Sequence, residues 1–135
     1  MKIKFAIATW ALIVSFGVFP SMSWAAEGEQ GRAYYLKYCG SCHGVEGKGD
    51  GVVSRSLKVK PPDLTLLQKK HKGTFPLEKV IASIDGKLNI EAHGESRMPV
   101  WGEVFAKQAL TQKDPAATSA AKVKAIAEHV ATIQR

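Results

Sequence analysis

Cysteine is scarce: there are two in 135 residues, Cys39 and Cys42. No second pair exists to complete a four-cysteine zinc site. Methionine is nearly as rare, at three, and two of these, Met1 and Met22, lie in the first 22 residues. No arginine-rich block and no basic strip interleaved with aromatics is present, so nucleic acid is not an expected partner. No alternating apolar–polar stretch of strand type occurs, which leaves an all-α chain as the expected fold class. Beyond Phe19 no apolar run is long enough to span a bilayer.

The first 25 residues read as a secretory signal. Met1 to Lys4 carries two lysines, Phe5 to Phe19 is almost wholly apolar, and Pro20 to Ala26 ends in small residues. Ser23 and Ala25 fit the small positions before a cleavage site, so cleavage is expected after Ala25. A retained anchor is the alternative, but the run is shorter than the roughly 20 residues of a spanning helix. Residues 26–135 then form one exported domain. Losing Lys2 and Lys4 takes the formal charge from +7 to +5. A basic exported protein of this kind suits acidic protein partners. A domain so small commonly needs a staple such as a disulfide, a metal or a large apolar cofactor.

Glu27 to Tyr38 reads as a first helix, with Gly31, Tyr35 and Cys39 four apart and early acids at Glu27 and Glu29. Gly44 to Gly51 is too rich in glycine for regular structure and reads as a compact loop. Lys48 there does not make a phosphate loop, because Gly49 stands where Ser or Thr is required. Pro61 to Thr65 reads as stiff and extended, and Lys69 to Lys72 as a solvated basic turn. Leu77, Val80, Ile81 and Ile84 repeat at helical spacing between Pro76 and Gly86. Trp101 to Leu110 is a further helical segment. Asp114-Pro115 starts a last helix whose apolar face is Val123, Ile126, Ala127, Val130 and Ile133.

Cys39-Gly40-Ser41-Cys42-His43 carries the chemistry. A disulfide is possible in an oxidising compartment. A thioredoxin-type dithiol would follow a strand and open a helix, and here a helix precedes and a glycine loop follows. C-x-x-C-H is also the attachment signature of c-type haem. Cysteines at i and i+3 share one face of a helical turn, and His43 comes next.

Taken together, these residues resemble the class I c-type cytochromes, small monohaem periplasmic proteins. The resemblance rests on Gly31, Tyr35 and Cys39, on CGSCHG, on PPDLT at 61–65, on His93-Gly94, and on Met98-Pro99-Val100-Trp101-Gly102. It implies a cytochrome c fold, with short helices and loops around one covalently bound haem c. First and last helices would cross at right angles with Gly31 at the contact. It implies thioether bonds from Cys39 and Cys42, and axial iron ligation by His43 and Met98. A buried core methionine is the ordinary alternative for Met98. By the same resemblance the Pro62 carbonyl orients His43, Leu64 packs on the haem, and Tyr35 and Trp101 line the pocket. Trp101, Arg97 or His93 would reach a haem propionate. For His93 an ordinary satisfied histidine stands beside that reading.

The implied function is one-electron transfer between redox proteins, and not catalysis. Lys37, Lys48, Lys58 and Lys60 are candidates to steer acidic partners. The protein would be a monomer or a subunit of a complex. The alternatives are a fixed haem c subunit of a dehydrogenase or oxidase complex, and a ligand-binding haem sensor if Met98 is off the iron.

Overall fold

The computed structural model describes residues 23–88 and 98–135, with side chains from Glu27 onward. Among these there are six helices and no strand, as the sequence pattern predicts. They are α1 (Ser23–Tyr38), α2 (Gly40–His43), α3 (Leu67–Lys70), α4 (Leu77–Asp85), α5 (Trp101–Gln108) and α6 (Pro115–Thr132). Two 3₁₀ turns, Val52–Ser56 and Leu64–Leu66, lie between α2 and α3.

α1 starts four residues before the expected Glu27. Ala25 and Ala26 are strong helix formers, and nothing there interrupts the turn. The expected signal region lies outside the described residues except for the start of α1. α4 runs as expected, from the N-cap Pro76 to Gly86, which closes it in the left-handed region at φ 81°. α6 begins where Asp114-Pro115 predicts: the Asp114 carboxylate accepts from the Ala117 N–H at 2.9 Å, and proline takes the first turn.

The core is the meeting of α1, α5 and α6. Tyr35, Cys39, Ile84, Phe105, Val123, Ile126, Ala127 and Val130 form one buried cluster. Each fully buried valine or isoleucine contributes about 1.5–3 kcal/mol, so the α6 face holds a large share of the stability. Gly31 sits at the α1–α6 contact: a Cβ there would overlap the Ala125 carbonyl and approach the His129 Cβ to 3.3 Å. Only a hydrogen fits, as the reading of Gly31 as a close-contact residue expects. His129, absent from the predicted apolar face, is also buried. The missing side chain at Gly31 leaves space for it at that level.

The α4–α5 corner is equally tight. A Cβ on Gly86 would stand 2.5 Å from Val100 Cγ1, and one on Gly102 would overlap Asp85. The Ser119 hydroxyl donates to the Gly102 carbonyl at 2.8 Å and locks α5 to α6. These contacts hold Val100 and Gly102, just beyond Met98 in the chain.

Three local readings need correction. The Pro61–Thr65 stretch is extended only to Asp63. There the carboxylate accepts from the Thr65 N–H at 2.9 Å and caps a 3₁₀ turn. Lys69 and Lys70 end the short helix α3, and His71 after them is half-buried, with Nδ1 2.9 Å from the Leu67 carbonyl. The basic segment is therefore only partly a free turn. The third concerns Lys48: its ammonium pairs with Glu46 in an exposed ion pair, which charge pattern alone does not report.

Candidate functional site

Cys39 closes α1, and a new turn, α2, starts at once from Gly40. The Cys39 carbonyl accepts from the N–H groups of Cys42 and His43 at 3.1 and 2.9 Å. That double bond places both thiols and the imidazole on consecutive steps of one tight turn. Both cysteines are free thiols. Cys39 is buried, and burial, helped by the adjacent Cys42, pushes its pKa up to about 12. Its thiol is therefore protonated and a weak nucleophile at neutral pH.

The glycine loop is built onto this turn. Gly49 N–H donates to the His43 carbonyl at 2.8 Å, and Gly51 N–H to the Cys42 carbonyl at 3.2 Å. A Cβ on Gly51 would overlap the Ser41 carbonyl, and one on Gly49 (φ 77°) would overlap the Pro61 carbonyl. The loop thus carries the Pro61-Pro62 segment against His43. The Leu64 N–H adds a 2.8 Å bond to the Gly47 carbonyl. Tyr35 is wholly buried, and its hydroxyl donates to the Gly44 carbonyl at 2.7 Å, tying α1 to the end of the motif. Burial, with Cys39 and Asp50 nearby, raises its phenol pKa, so the hydroxyl stays a donor.

His43 is the informative side chain. Its Nδ1 is buried with no hydrogen-bond partner of good geometry. Burial lowers its pKa, and the Pro62 carbonyl opposes this without completing a bond. The imidazole is held neutral, the form that ligates metal. An orphaned buried nitrogen costs stability, and the Pro62 carbonyl is the acceptor beside it.

The expected site residues converge in part. Tyr35 and Cys39 belong to the buried cluster, and Leu64, Met98 and Trp101 pack against it from other segments. Pro62 stands beside His43. His93 and Arg97 lie outside the described residues. Trp101 stacks on Phe105 at 5.6 Å and tilts against Tyr38 at 5.5 Å, so it also serves as core. Among the described residues no group of three or more His, Cys, Asp or Glu could hold a bare metal ion. A lone imidazole and a thioether suit an iron that brings its own equatorial ligands.

The sequence profile of the cytochrome c family matches residues 28–134. The chain belongs to the cytochrome c family. Searches for similar curated proteins and similar solved structures returned no match. Membership makes the protein a haem c-containing electron carrier with its iron porphyrin covalently attached, on the all-α cytochrome c fold. Cytochromes c are generally electron carriers and not enzymes, and they work between redox partners. Among the described residues no helix is long and apolar enough to cross a membrane.

Several supports were not read from the sequence. Gly49 and Gly51 were visible only as part of a glycine-rich stretch, whose density was the available signal. Gln134 and Arg135 gave no local signal. Gln134 Nε2 donates to the Leu64 carbonyl, and its Oε1 accepts from Gln68 N–H. Arg135 donates to Thr65 Oγ1 and Asp63. Together they clamp the Leu64 segment onto the end of α6.

Proposed function

We propose that this chain is an exported, periplasmic single-electron carrier with His43 and Met98 as axial ligands. Haem c supplies one Fe(III)/Fe(II) electron per cycle. Cys39 and Cys42 anchor the group through thioether bonds. Two covalent links from one turn hold a cofactor that an exported protein cannot recapture. His43 offers a neutral imidazole, and the Pro62 carbonyl beside it would accept a hydrogen bond from Nδ1–H and set the ring's orientation once the ring is held by iron. Met98 offers a soft thioether from the opposite segment, and Pro99 keeps that residue extended. Leu64, Tyr35 and Trp101 exclude water, while Arg97 and His93 are assigned to the propionates.

The observation that carries this reading is the buried His43 Nδ1 without a completed bond, next to Pro62. It is supported by the packing of Met98 against the same core as Cys39.

The docking face is assigned to residues 52–60. The Val52–Ser56 turn packs beside α2, exposing Val52, Val53 and Val59 among exposed Arg55, Lys58 and Lys60. An apolar centre with a basic margin suits an acidic redox protein, and its association should slow with salt.

One measurement tests the ligand set. After denaturation the purified protein should still weigh one haem more than its polypeptide, and its ferric spectrum should show the weak far-red iron–sulfur band. A red protein without that band would remove Met98 from the iron.

A further inference from the structure

We infer that the open cleft between α1, the glycine loop and the end of α6 is a binding site for a phosphate group. The cleft encloses about 490 Å³, and its polar lining is Arg32, Glu46, Lys48, Thr65, His129 and Arg135. It uses neither the cysteines nor the ligands proposed for haem.

The charge in this lining is unbalanced. Arg32, Lys48 and Arg135 face one carboxylate, Glu46, within the cleft. Lys48 is paired with that carboxylate, and Arg135 with Asp63 outside it. Arg32, exposed on α1, makes no ion pair or hydrogen bond among the described residues.

His129 adds a second, independent sign. It is nine-tenths buried, yet its ring nitrogens have no hydrogen bond among the described residues. One ring face rests on Tyr35 at 5.1 Å. The ring also lines the cleft, and burial, followed by Arg32, disfavours its protonation. A guanidinium without an ion pair and an imidazole without a hydrogen bond within the chain therefore share a cavity whose one carboxylate, Glu46, is already paired with Lys48.

These donors define the ligand chemistry. A planar guanidinium fork, an ammonium and an imidazole N–H suit an oxyanion with several oxygens and more than one charge. A phosphate group meets that requirement. The Lys48–Glu46 pair is largely exposed, with 43% and 71% of the side chains accessible. Exposed pairs are weak, so Lys48 can turn to the ligand. The phosphate can belong to a soluble molecule or to an anionic phospholipid headgroup, and both carry the same recognised chemistry.

The test uses the intact holoprotein. Inorganic pyrophosphate is titrated by calorimetry in dilute chloride buffer, and phosphatidylglycerol vesicles are tested by co-sedimentation. Arg32→Gln and Lys48→Gln are compared with Lys113→Gln, which removes the same charge. Lys113 lies beyond the other end of α6, about 25 Å away at 1.5 Å per residue. Saturable binding in either assay is expected, weakened about tenfold by Arg32→Gln or Lys48→Gln and less than twofold by Lys113→Gln. Pyrophosphate binding assigns a soluble ligand, and vesicle binding alone assigns the headgroup. No saturable binding in either assay, or equal weakening by all three variants, overturns the site.

Discussion

Gly49 and Pro61 lie back to back: the glycine's Cα is so close to the proline carbonyl that no Cβ fits between them. Gly49 also holds φ 77°, a left-handed backbone that other residues adopt only with strain. Its N–H meanwhile bonds the His43 carbonyl. One residue thus sets the spacing between the histidine and its proline support. Gly49→Ala should lower the unfolding free energy of the holoprotein by about 1–3 kcal/mol. It should also shift the haem absorption bands as the support moves. Denaturant titration and an optical spectrum check the two effects, and wild-type values in both would exclude this role for Gly49.

Gly31 at the α1–α6 contact supports a second prediction. In an ordinary helix, alanine for glycine would gain about 1 kcal/mol. Here the added methyl meets the Ala125 backbone, which has no rotamer to relieve it. Overpacking costs of about 1–3 kcal/mol should outweigh the gain. Gly31→Ala should therefore be less stable than wild type, and Gly31→Val less stable still. Thermal unfolding of both variants tests the order.

Tyr35→Phe isolates one hydrogen bond. The Gly44 carbonyl keeps a 3.2 Å bond from Gly47 N–H when the phenol is lost, so it is not left bare. The expected loss is about 1 kcal/mol, with haem content unchanged. A loss several times larger would mean that the hydroxyl does more than tie α1 to the motif.

His129 predicts a pH dependence. Burial, followed by Arg32, lowers its pKa below the ordinary value of about 6.5. Arg32 on α1, Glu46 and Lys48 in the loop, and Arg135 surround the same cleft, and Tyr35 touches the ring. The unfolded chain then binds the proton more readily than the folded one. Stability is intact above about pH 6.5 and falls as pH drops toward the lowered folded value. Glu46 and Asp63, whose carboxyls are held below their ordinary range by Lys48 and by Thr65 with Arg135, lose their contribution only in a separate, more acidic window. His129→Gln should flatten the stability profile between pH 7 and 5. An unchanged slope would place the titration elsewhere.

If Met98 is the sixth ligand, Met98→Ala should leave the haem covalently attached, remove the far-red band and lower the reduction potential. Retention of the wild-type potential by redox titration would refute the assignment.

The sequence made some of this legible and hid the rest for physical reasons. Helix ends were readable where punctuation is local, at Pro76, Gly86 and Asp114-Pro115. The tight turn that carries Cys39, Cys42 and His43 was readable because it depends on contiguous spacing. Asp63 as a 3₁₀ cap was also local, but two prolines before it favoured an extended reading. The burial of His129 depends on an absent side chain nearly a hundred positions earlier, at Gly31, which no helical period reports. The pairing of Lys48 with Glu46 turns on side-chain direction in a glycine loop, which charge counting alone does not report.

The Arg135–Thr65 hydrogen bond spans 70 positions, and the Arg135–Asp63 contact 72. Closures of that length come late, because chain entropy must be overcome before the contact stabilises anything. Cys39 is buried in a cluster to which α6 gives Val123, Ile126, Ala127 and Val130. Until α6 docks, that thiol stands open on a short turn, within reach of whatever machinery would join it to haem if Cys39 is an anchor. Once the clamp closes, the thiol is sealed. On the proposed anchoring by Cys39, the fold would order its own assembly: attachment first, enclosure second.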